Sequence, residues 1–282
     1  MFNIFKIVAS VEIISTTRRM CAPPPKWLKR SRGKSFGFTL AEVLITLGII
    51  GVVAALTIPT LMANNQKQEY VTRLKKAYTN FNQVINQITI DKGSPGDLSG
   101  TGIFDTGTDS VTLYDEVVKY FNVIKECRAS GDRGCGSNSV SFNYDRPGSF
   151  TTTSDFGFSF ITSDGMTIQL YNFANVGFPN CSRQCSSDPN NKAAKTCANV
   201  TFDINGLKGP NSRGRDIFYF YITNKNGPAL VPLGGKDVLE TSDYNETHWA
   251  DDPQNPSFCY SGYKDGQYCA GRVIEEGWQM NY

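Results

Sequence analysis

Residues 36–62 read FGFTLAEVLITLGIIGVVAALTIPTLM, an apolar run of helical length whose only formal charge is Glu42. The 21 residues from Phe38 to Ile58 would rise about 30 Å as an α-helix, the thickness of a bilayer's hydrocarbon core. The stretch is therefore a candidate membrane span. A carboxylate inside such a span is costly, so Glu42 is expected to have a function.

Upstream, the first 37 residues hold eight basic residues (Lys6, Arg18, Arg19, Lys26, Lys29, Arg30, Arg32 and Lys34) against one acid, Glu12. Residues 1–19 are too short and too broken by Glu12 to span a bilayer. Residues 21–34 are rich in proline and basic residues, which reads as an extended leader. Near the apolar run, seven basic residues between Arg18 and Lys34 face four on the far side (Lys67, Arg73, Lys75 and Lys76). By the positive-inside rule the N-terminus is cytoplasmic and the rest of the chain lies outside.

Downstream, Tyr70, Val71, Leu74, Tyr78, Phe81, Val84, Ile85 and Ile88 recur at three- and four-residue steps between polar residues. That is the stripe of an amphipathic helix continuing the apolar one over residues 63–92. Together they predict one rod of about 80 Å. Pro59 near the junction removes an N–H donor and is expected to kink or loosen it.

Residues 93–282 form one domain's worth of chain. A Gly/Ser/Thr/Asp-rich loop over 91–107 leads to a short helix over 111–121, after which the period changes to two. Phe156, Phe158 and Phe160, then Met166, Ile168 and Leu170 about a Ser163-Asp164-Gly165 turn, predict a β-hairpin. Val200, Phe202 and Ile204 give a third strand, ended by Asn205-Gly206, and residues 217–222 (IFYFYI) a fourth. The expected fold is α+β, a long N-terminal helix packed by its apolar stripe on a small antiparallel sheet with long loops. There is no internal repeat.

The chain's net charge of +2 conceals two regions of opposite sign. Without residues 1–37 the chain has 20 basic and 25 acidic residues, a net of −5. It lacks the basic footprint of a nucleic-acid binder, so nucleic acid is not an expected partner. Seven of the eight cysteines (Cys127, Cys135, Cys181, Cys185, Cys197, Cys259 and Cys269) follow the apolar run, with no C-x-x-C and only one histidine, His248. This pattern argues for disulfides in an oxidising compartment rather than for zinc. Local bridges are expected within Cys127/Cys135 and Cys259/Cys269 and one within Cys181/Cys185/Cys197, although spacing does not fix the pairing. His248 sits in a polar loop beside Trp249, Asp251 and Asp252, where a solvated imidazole is the expected role. With no G-x-S-x-G, Walker A or H-E-x-x-H pattern, no enzyme is expected.

Gly37-Phe38-Thr39-Leu40-Ala41-Glu42, after Lys34 and before the apolar run, closely resembles the prepilin signal of type IV pilins and type II secretion pseudopilins. The resemblance implies a basic leader over 1–37, cut between Gly37 and Phe38 by a prepilin peptidase that also N-methylates Phe38. It implies a transmembrane and polymerisation helix over 38–62, with Glu42 and Pro59 matching the family's acid and proline. Family leaders are usually shorter than 37 residues, and Met20 offers a second start. Other pilin or pseudopilin subunits and an inner-membrane assembly machinery are then the expected partners. The bare chemistry agrees. A glycine at the cut keeps the backbone clear of side chains, and the Phe38 ammonium of a neighbouring subunit is a natural partner for Glu42. Alternatively, Thr39-x-x-Glu42 is a capping box. An ordinary secretory signal would have a shorter core and a small-x-small cut site, both absent here. The competing class of function is a membrane-anchored or secreted disulfide-rich binding domain that does not polymerise.

Residues 202–211 and 214–218 resemble the strand-turn-strand element of many pilin-like proteins, and residues 277–282 a common C-terminal ending. Asp203, Asn205 and Asp216 are oxygen-bearing candidates for calcium, as in related pseudopilin loops. Their spacing fails the EF-hand template, however, and Asx-turn capping is the expected role. No cofactor other than this calcium candidate is expected.

Overall fold

The computed structural model describes residues 37–128, 135, 140–141, 149–150, 158–186, 188–209, 211–235, 238, 259, 266 and 268–282. The leader, Cys21, Phe156, Pro210, His248, Trp249, Asp251 and Asp252 lie outside the described residues.

The polypeptide enters its first helix from an extended segment at Gly37 to Thr39. Helix α1 is Leu40–Asp91, 52 residues with Pro59 inside it. The helix runs unbroken through that proline, whose missing N–H leaves one turn bond unmade. In the first half, every residue from Phe38 to Met62 is exposed except the half-buried Ala54. The second half buries Tyr70, Val71, Leu74, Ala77, Phe81, Val84, Ile85 and Ile88, the stripe that the sequence period marks out except that Ala77 is buried and Tyr78 is half-buried.

That stripe lies against a six-stranded antiparallel sheet of order β1-β4-β5-β6-β7-β8. Its strands are β1 Val123–Cys127, β4 Phe158–Thr162, β5 Thr167–Asn172, β6 Thr196–Asp203, β7 Ile217–Thr223 and β8 Ala229–Pro232. β2 Val140–Ser141 and β3 Ser149–Phe150 pair separately. In the central strands β6 and β7, Val200 faces Phe220 and Phe202 faces Phe218 across the ladder. Phe81 of α1 meets Phe202 edge-on at 5.5 Å, and Tyr78 meets Phe220 at 5.8 Å. Fully burying a side chain such as Phe81, Ile85 or Leu74 contributes about 2 kcal/mol.

Helix α2, Ser110–Val117, begins at Asp109, whose carboxylate accepts the Thr112 N–H. It buries Leu113, Tyr114 and Val117. The helix expected over 111–121 ends four residues earlier, because Val118–Tyr120 tightens into a 3-10 turn. Helix α3, Cys269–Glu275, packs so closely that a Cβ on Gly271 would stand 2.1 Å from the Gly235 nitrogen. Three disulfides staple the loops: Cys127–Cys135, Cys181–Cys197 and Cys259–Cys269. Cys185 is in none of them.

Candidate functional site

The N-terminal end of α1 is built by local chemistry. Gly37 is exposed, and among the described residues a Cβ placed on it would meet nothing within 4 Å. Thr39 caps the helix, its carbonyl accepting the Val43 N–H at 3.2 Å. The Thr39 N–H and hydroxyl both donate to Glu42 Oε2, at 2.8 and 2.7 Å, and the Glu42 N–H returns a 3.2 Å bond to Thr39 Oγ1. This is the reciprocal capping box that Thr39-x-x-Glu42 encodes. Every bond to the carboxylate uses Oε2, which leaves Oε1 open to a further donor among the described residues.

Just before this cap Phe38 is 87% exposed, and beyond it the helix presents Leu40, Leu44, Leu47, Ile50, Val53 and Leu56 to its surroundings. Such a surface is stable only in an apolar medium or against other apolar helices. Residues 32–58 match the family model of the prokaryotic N-terminal methylation motif. This is the signal of type IV pilins and pseudopilins. It covers Gly37, Phe38, Glu42 and the apolar run as far as Ile58, and Pro59 and the head lie beyond it. The motif's family is structural rather than catalytic, and with the apolar helix it fits a membrane-anchored pilin. No curated protein and no solved structure matches the chain.

In the head, the structure brings Asp203, Asn205 and Asp216 together in the β6–β7 loop. The Asp216 carboxylate accepts the Ser212 N–H at 2.5 Å, the Asn211 N–H at 2.8 Å and Asn205 Nδ2 at 3.0 Å. The Asn211 amide nitrogen faces the Gly206 and Lys208 carbonyls at 3.1 and 3.2 Å. Gly206 has φ +64°, and a Cβ there would stand 2.2 Å from the Gly165 carbonyl, so the Asn205-Gly206 turn requires glycine.

Burial, with Asp216 as a second negative charge, pushes the Asp203 carboxyl well above its usual range. Asp216 is also raised by burial, against the pull of the Ser212 and Asn211 N–H groups. Asp203 Oδ1 and Asn205 Oδ1 are buried without a hydrogen-bond partner. Asp203, Asn205 and Asp216 are the oxygen-bearing candidates for calcium that the sequence offers in this loop. A calcium ion takes six to eight oxygen ligands with lone pairs turned toward it, whereas both Asp216 oxygens are turned toward N–H donors. Among the described residues no group of three or more His, Cys, Asp or Glu could hold a metal.

Two side chains that sequence periodicity assigns to other tasks belong to this loop. Tyr70, on the apolar stripe, accepts from Asn205 Nδ2 at 3.1 Å and from Gln66 Nε2 at 2.6 Å. Gln66 Oε1 accepts from Arg215 at 3.2 Å. A Gln-x-x-x-Tyr spacing places both on one helix face, but nothing in the sequence names their partner. At the other end of the chain Trp278, at φ +65°, stacks edge-on against Tyr78 at 5.5 Å.

Proposed function

We propose that the chain is a prepilin-like structural subunit of a type IV pilus or type II secretion pseudopilus. In this reading a prepilin peptidase cuts between Gly37 and Phe38 and methylates the new Phe38 amine. Residues 38–62 then anchor the protein in the inner membrane with the N-terminus cytoplasmic. Residues 63–92 carry the helix into the head, and the head over 93–282 stands in the periplasm or on a filament surface. Assembly transfers the apolar half of α1 from lipid to a bundle of neighbouring subunits' helices. Pro59 marks a turn where one backbone bond is already missing, and helix adjustment is least costly there. The observation that carries the reading is the methylation motif at residues 32–58, set on a helix half whose large apolar side chains are exposed.

Glu42 has a defined place in this scheme. Its Oε2 is bound by Thr39, so a neighbour's Phe38 ammonium meets Oε1 without the cap being broken. Glu42→Ala is expected to leave cleavage intact and abolish filament assembly in a strain lacking the native subunit, scored by electron microscopy of sheared filaments. Normal filaments from that variant would contradict the pairing.

A further inference from the structure

We infer that the loop between β6 and β7 is a metal-independent clasp on α1, held closed by N–H groups bonded to Asp216. The argument starts from the valence of the carboxylate. Asp216 takes two backbone N–H groups four and five residues upstream, from Ser212 and Asn211, and the Asn205 amide eleven residues upstream. Its own carbonyl accepts the Ile204 N–H at 2.9 Å. One residue thus closes both sides of the loop, and three N–H donors take up most of the lone-pair positions of its carboxylate.

The closed loop is then fixed to the helix at three points, each a hydrogen bond rather than apolar contact, and a fourth bond within α1 orients two of the helix side chains that receive it. Asn205 Nδ2 reaches Tyr70 Oη, Gln66 Nε2 reaches the same oxygen, Arg215 reaches Gln66 Oε1, and Arg73 Nη1 reaches the Ile204 carbonyl at 3.4 Å. Asn205 is the joint of the device, since its amide nitrogen bonds both Asp216 and Tyr70. Loop order and loop docking are therefore coupled through one side chain. Because residues 66–73 follow directly on the apolar half of α1, the clasp braces the first stretch of helix that the head holds. In this account that bracing needs no calcium.

Limited trypsin cleavage after the exposed Lys208 tests the clasp, with the full-length chain in detergent micelles. Cleavage there requires local opening of the loop, so its rate reports the open population. The cleavage rate should be the same in calcium and in chelator. Tyr70→Phe, a mild substitution that keeps the ring packed, should raise it about fivefold, and Asp216→Asn by at least as much, as expected for buried hydrogen-bond loss. Asp203→Asn should not slow or speed cleavage in a calcium-dependent way. Calcium protection of the parent chain that disappears in Asp203→Asn would overturn the inference in favour of a cation site. Parent-like cleavage of Tyr70→Phe and Asp216→Asn would overturn it as well.

Discussion

The two halves of α1 obey the same backbone geometry and opposite rules of burial. Between Tyr70 and Ile88 the apolar residues form one stripe, and the sheet of the same chain covers it. Between Phe38 and Met62 they point in every direction, and all but the half-buried Ala54 are exposed. A stripe is what a helix needs to pack on a fold, whereas an all-round apolar surface fits lipid and then other helices. The difference teaches that one helix serves two kinds of surroundings: its second half packs into the head, and its first half presents an exposed apolar surface on all sides.

Substitutions on the two halves should part company sharply. Phe81→Ala removes a ring packed between Phe121 and Phe202 and should cost the head about 3–5 kcal/mol, measured by denaturant unfolding of the detergent-solubilised chain. Ile50→Ala in the same assay should leave the midpoint unchanged. A comparable loss at both positions would break the comparison, since it would mean that the first half also packs on the head.

A somewhat smaller effect separates the halves the other way. Ile50→Arg places a charge near the middle of the span, at a cost of about 3 kcal/mol for insertion. It should move the protein from the membrane to the soluble or degraded fraction without altering head disulfides, as read by fractionation and non-reducing electrophoresis. Retention in the membrane at the parent level would remove the case for a span.

The smallest expected effect is on pH dependence, and it belongs to the head alone. The Tyr120 phenol and the Gln87 amide hold Asp91 below its usual range. For Glu116 and Asp164, burial opposes the charge, but Lys92 and Lys119 outweigh it in the first case and Thr162 and Lys76 in the second. Carboxylates lowered in the folded state contribute stability that is present above their unfolded values, near pH 4, and lost as pH falls through the folded ones. Lys76→Ala should flatten this acid limb slightly in thermal melts between pH 5 and pH 2. An acid limb identical to the parent's would show that Lys76 contributes nothing to it.

The sequence was most legible where a single physical rule governs a long stretch. The apolar run, its lone Glu42 and the three- and four-residue rhythm from Tyr70 to Ile88 reveal the helix and the stripe it buries. Alternating apolar residues, aromatic in β4 and β7 and largely aliphatic in β5 and β6, reveal β4 to β7. The edges of the sheet escape such reading. β1 exposes Ile124, Lys125 and Glu126 in succession, so no alternation marks it, and β8 is four residues closed by Pro232. Helix α3 is hidden by Gly271, kept for close approach to Gly235, which reads as loop composition in sequence. The Cys181–Cys197 bridge is a matter of which strands and loops meet in space, and spacing alone leaves Cys185 an equal candidate. At the candidate site, Thr39 and Glu42 are legible because a capping box is local. The link from Asn205 to Tyr70 spans 135 residues and follows only from the folded sheet.

The central claim is that the chain is processed at Gly37 and built into a filament through residues 38–62. Mass spectrometry of the mature N-terminus, on protein purified from membranes of a cell with an active prepilin peptidase, tests it most directly. The account predicts a chain beginning with N-methylated Phe38. An intact leader, or a cut beyond Ala63, would contradict it.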